Sequence, residues 1–80
     1  MSNFYTMVFL PDAKSSEEAL AMASRIPGFR GSSAHIEKGY SYGPADECWV
    51  VSGYEDSELQ QVPGLRYFAE RRDNSYAFGT

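Results

Sequence analysis

A thiol beside an imidazole makes a nucleophile and its base, and this chain has one of each: Cys48 and His35, with Glu37 two residues beyond the histidine to orient the ring. The pair works only if both side chains share one face of a sheet. Residues 33–38 and 47–54 read as two strands joined by a loop of turn formers, residues 39–46, so an antiparallel hairpin is expected. A symmetric loop sets Glu37 opposite Cys48, Ile36 opposite Trp49 and Ala34 opposite Val51. The apolar residues Ala34, Ile36, Trp49 and Val51 then line one face, which is the register the hydrophobic pattern selects. His35 and Cys48 fall diagonally on the other face, roughly 7 Å apart between Cα atoms. A lone cysteine in an apolar strand is more often a small buried hydrophobe, and a one-residue slip separates the pair. No residue is therefore assigned a catalytic role, and a non-enzymatic protein is expected.

Other chemistry has less to build on. One histidine and one cysteine offer no ligand cluster, and the carboxylates lack the spacing of a calcium loop, so no metal is expected. The seven glycines stand singly at turns and form no phosphate cradle, so no cofactor is expected either. A single cysteine makes no internal disulfide and suits a reducing compartment, and the apolar run Phe4–Leu10 is too short to cross a bilayer and has no basic residue ahead of it. A cytoplasmic location is the expectation.

Binding is better provided for. Twelve aromatics among 80 residues exceed what so small a core needs, so some of the six tyrosines are expected at the surface, where rings with polar tips are favoured contact residues. From residue 39 to 65 there is no Lys or Arg, only Asp46, Glu47, Glu55, Asp56 and Glu58; the net charge is −5 there and +1 in the rest, within a total of −4. Those five acids, with Tyr40, Tyr42 and Tyr54 beside them, are the candidate contact residues for a basic protein partner. Asp46 and Glu47 open one strand while the other three acids leave its far end, so two acidic edges are expected. Arg66, Arg71 and Arg72 interleave with Tyr67 and Phe68, but the acidic balance removes the electrostatic attraction on which nucleic-acid affinity rests, so direct nucleic-acid binding is disfavoured. Pairing of those arginines with Glu70 and Asp73 is the plainer expectation.

The elements that must position these residues follow from an echo. Ile26-Pro27-Gly28-Phe29-Arg30 returns as Val62-Pro63-Gly64-Leu65-Arg66, each copy after an apolar run and a helical stretch, as if one β-α-β unit occurs twice. Ser15 and Glu18 have capping-box spacing, and Ala19, Met22, Ala23 and Ile26 then mark one helix face. A second, shorter helix is expected from about Asp56 or Ser57 to Gln61. The strands at 4–10 and 48–51 are apolar on both sides and read as central, whereas Glu37, Lys38, Glu70, Arg71 and Arg72 mark the other two as edges. The expected fold is a single α+β domain over residues 1–80, a ferredoxin-like split β-α-β sandwich of order βαββαβ with a short second helix. Asp73-Asn74 suggests a C-terminal hairpin and a short fifth strand. Two layers leave the second sheet face, with Cys48, Val50 and Tyr54, bare for a second copy or a partner.

Ala34 to Ile36 after the Pro27-Gly28 turn, followed by a Trp-bearing strand running into Glu55 and Glu58, resembles the antibiotic-monooxygenase-like dimeric α/β barrels. That resemblance implies a small-ligand-binding protein or enzyme working as a dimer, and is the alternative function. In size, acidity and lack of chemistry the chain resembles the small inhibitors that phages encode, such as anti-CRISPR or anti-restriction proteins. The leading expectation is accordingly an acidic binding protein that docks on a larger basic or nucleic-acid-handling protein and regulates or inhibits it.

Overall fold

A computed structural model describes residues 4–38, 46–71 and 76–79, without the side chains of Phe4 and of 76–79. Ser15 Oγ accepts from the Glu18 N–H at 3.1 Å while Glu18 Oε1 accepts from the Lys14 N–H at 2.6 Å. With these orphan donors satisfied, α1 runs Ser16–Ala23, burying Ala19 and Ala23. It stops short of Ile26 because Arg25 and Ile26 donate three residues back, to Met22 and Ala23, tightening the last turn ahead of Pro27.

Five strands, β1 Phe4–Leu10, β2 Phe29–Lys38, β3 Glu47–Glu55, β4 Phe68–Arg71 and β5 Tyr76–Gly79, form one sheet in the order β2-β3-β1-β4-β5. Every neighbouring pair is antiparallel. β1 and β3 are central, and Val8, Phe9, Leu10, Val50 and Val51 have no exposed surface, as strands apolar on both sides require. The hairpin register pairs Ala34 with Val51, Ile36 with Trp49 and Glu37 with Cys48, as the hydrophobic pattern selects. Under α1 the core gathers Val8, Leu10, Ile26, Phe29, Val51, Tyr67 and Ala69.

The ferredoxin-like βαββαβ sandwich is not what the described residues form, because they hold α1 and no second helix. Residues 56–67 run as bends and turns. Only seven residues separate Glu55 from Pro63, and Pro63 drives Val62 out of helical backbone, so a costly helix nucleus would have almost nothing to propagate into. The segment fills the same space with side chains. Leu59, Leu65 and Tyr67 are buried, each fully buried leucine contributing roughly 1.5–3 kcal/mol. Tyr67 Oη donates to the Gln60 carbonyl at 2.7 Å, and burial, then the Glu55 charge, pushes its pKa up to about 12.

Two further expectations are corrected. β4 is not an edge, since β5 pairs with it, and its charges serve the interior: Arg71 binds Glu55 in place of Glu70, and Glu70 is buried. Nor is the second sheet face bare. Phe9 and Val50 on it are fully buried and Ser52 and Glu70 nearly so, and the Glu37 charge on β2 reaches Glu70 on β4.

The echoed Pro-Gly segments are two copies of one turn. Phe29 N–H donates to Ile26 O at 3.3 Å and Leu65 N–H to Val62 O at 3.0 Å, with Gly28 at φ 85° and Gly64 at φ 80°. Proline second and a positive-φ glycine third define a type II turn. A methyl group at Gly64 meets open space, whereas one at Gly28 runs into the side chain and carbonyl of Ser57. Gly64→Ala is expected to cost the backbone strain alone, about 1–2 kcal/mol, and Gly28→Ala more, as measured by urea denaturation of the two variants against the wild type.

Candidate functional site

β3 carries most of the residues singled out by the sequence, and its two ends must be taken separately. Nine residues put roughly 26 Å between them at about 3.3 Å per residue. At the far end Glu55 is only 2% exposed. Its Oε2 accepts from Thr6 Oγ1 at 2.5 Å and from Arg71 Nε at 3.0 Å, and its Oε1 accepts from Arg71 Nη2 at 3.1 Å. Glu55 therefore leaves the list of surface contact residues, because a carboxylate this deep is held only by committed donors. Asp56 is bound to Arg30 at 2.7 Å. Glu58 stays exposed, and Tyr54 stands 46% exposed with its ring edge-on to Tyr5, centroids 5.3 Å apart. Pairing and burial have dismantled the acidic edge expected here.

The near end keeps its charge. Asp46 and Glu47 are exposed at the start of β3 and have no ion-pair partner among the described residues. They border a concavity of about 460 Å³ with Pro11, Cys48, Arg66 and Phe68. A second concavity of about 510 Å³ adjoins it, walled by Asp12, Gln61, Val62, Pro63, Gly64, Leu65 and Arg66. Arg66 borders both and donates from Nη2 to Asp12 Oδ1 at 3.0 Å. Together they make a groove across the end of the sheet, its apolar surface from Pro11, Val62, Pro63 and Phe68, its charge from three carboxylates against one guanidinium. Arg66 and Asp12 were not among the sequence candidates. The arginine after each Pro-Gly turn was the signal available. Tyr40 and Tyr42 lie outside the described residues.

The thiol and imidazole do share a face, as the hairpin register requires. The ring contacts Glu37 as expected, with His35 Nε2 and Glu37 Oε2 2.5 Å apart. Burial pushes the Cys48 thiol up, against smaller lowering effects from the Leu10 backbone and Arg66. A raised thiol is the reverse of an activated nucleophile. No arrangement among the described residues points to catalysis. No three His, Cys, Asp or Glu among them gather as metal ligands would, and no helix among them is long and apolar enough to cross a membrane.

Comparison with known proteins returns no matching family model, curated protein or solved structure.

Two expectations follow from these groups. Cys48 should alkylate more slowly than free cysteine at neutral pH, since less of it is thiolate; a rate equal to or above that of free cysteine would contradict the burial described. Glu70 is 3% exposed with Oε1 lacking any hydrogen-bond partner; burial, then the Glu37 charge, raises its pKa. The folded value lies above the unfolded one, so the stabilisation is complete below the ordinary Glu pKa of about 4.3 and is lost as pH rises through the folded value. Glu70→Gln is expected to stabilise the fold at neutral pH and to lose that advantage in acid, as read by urea midpoints at both conditions.

Proposed function

We propose that the protein is a binding protein that seats a basic segment of a larger partner in the groove at the Asp46 end of β3, and so regulates or blocks that partner. The observation that carries this reading is the pair of exposed acids, without an ion-pair partner among the described residues, that borders a groove with apolar walls. A Lys- or Arg-bearing strand or loop gains charge complementarity from Asp46 and Glu47 and buries apolar surface on Pro11, Val62, Pro63 and Phe68. Ion pairing within the chain supports the same end of the molecule, because Arg30 and Arg71 neutralise acids at the far end of β3 and Arg66, though it borders the groove, is bound to Asp12. An inhibitor of a nucleic-acid-handling protein fits this description, since such proteins display basic surfaces.

The test is affinity capture from cells with three baits: wild type, the Asp46→Lys/Glu47→Lys double variant, and Glu58→Lys at the opposite end. A basic partner is expected on the wild type and on Glu58→Lys, to fall at least about tenfold on the double variant, and to weaken with salt. A partner held equally by all three baits, or lost only with Glu58→Lys, overturns the assignment of the groove.

A further inference from the structure

β2 is an edge of the sheet, with no further strand on its outer side among the described residues. Such an edge is a template for another strand unless something blocks it. The first half of the strand is blocked by a bulge. The β2–β3 register shifts between Gly31 and Ser33, a bulge that spoils the first half of β2 for further pairing. The second half, Ala34 to Lys38, pairs regularly with β3 and carries Ile36, 47% exposed on the face that α1 covers. A large apolar side chain left exposed on the regular part of an open edge is the reverse of what protects a natural edge strand.

The side chains of this stretch also select their own partner. If another copy of β2 pairs antiparallel with it, centring on His35 sets imidazole against imidazole, and centring on Glu37 sets carboxylate against carboxylate. Centring on Ala34 sets Ile36 against the bulge. Centring on Ile36 places Ile36 opposite its twin and His35 opposite the other copy's Glu37 twice over, with Ala34 opposite Lys38. Only that register joins apolar to apolar and a donor ring to an acceptor carboxylate, and it is self-complementary, as a twofold interface must be. The bond already made between His35 and Glu37 within one chain, 2.5 Å from Nε2 to Oε2, demonstrates that the two groups suit each other.

We infer that a second copy of this chain docks on the β2 edge, antiparallel and centred on Ile36, so that two five-stranded sheets become one continuous sheet. The twofold axis stands perpendicular to that sheet, so both α1 helices lie on the same face as the Ile36 pair, and Leu20, exposed on α1, adds apolar surface there. The contact involves none of the residues that line the Asp46 groove. A dimer therefore presents two grooves.

Sedimentation equilibrium of the free protein from about 10 μM to 1 mM tests this. The expected result is a mass rising from 8.9 kDa toward twice that value, with Ile36→Lys weakening the dimer about tenfold or more and leaving the circular dichroism spectrum unchanged. Register is read by mixing. His35→Glu and Glu37→His each place like groups across the axis and lose the dimer, whereas the two variants mixed restore both cross-strand pairs and regain it. A wild type that stays at 8.9 kDa throughout, or an Ile36→Lys dimer as tight as the wild type's, overturns the proposal. Failure of the mixture to re-form a dimer overturns the register.

Discussion

The carboxylate of Glu55 governs this fold more than any other single group. It belongs to the end of β3, is almost wholly out of water, and is held by Thr6 from β1 and by both a side nitrogen and a terminal nitrogen of Arg71 from β4. Three strands are thereby tied at one end by a group that tolerates no loosening, since removing one partner from such a pair costs roughly 3–5 kcal/mol. The charge also reaches Tyr67, helping to hold its phenol in the protonated form that donates to Gln60. The irregular segment after β3 is thus fastened at its beginning by Glu55 and near its end by Tyr67.

Around that anchor the chain keeps the plan of two related halves. Each half has an apolar strand, an aspartate just beyond it, a type II Pro-Gly turn and an arginine. The arginine of each half pairs with the aspartate of the other: Arg30 with Asp56 and Arg66 with Asp12. Exposed pairs of this kind contribute about 0–1 kcal/mol apiece, so their reciprocity describes the symmetry more than it stabilises it. The difference between the halves matters more. The first half spends its crossover on α1, while the second is too short for a helix, and the Gln61 to Arg66 wall left in its place shapes the groove beside Asp46.

Much of this was legible in the residues. The capping box at Ser15 and Glu18, the type of each central strand and the pairing of Ile36 with Trp49 rest on short-range patterns, and the fold keeps them. The Pro-Gly echo likewise marked real turns. What misled was the assumption that a repeated boundary implies a repeated interior: residues 56–62 carry helix formers, but Pro63 and the brevity of the stretch decide against them. The candidate site was legible only in part. Asp46 and Glu47 remain exposed with no ion-pair partner among the described residues, whereas Glu55 and Asp56, equally acidic in sequence, are consumed by arginines 16 residues after the one and 26 before the other.

The sequence by itself determined the local matters: where α1 begins, where the chain turns, which strands are apolar on both sides, and the register of the hairpin. Each depends on residues within one or two turns of one another or on a period of two. Only the tertiary structure decided which charges are spent and which are left. Burial and ion pairing are properties of neighbours in space, and Thr6, Glu55 and Arg71 become neighbours only once β1 lies between β3 and β4. The same holds for the second face, where Phe9, Val50, Ser52 and Glu70 come from three strands and are buried together only in the assembled sheet.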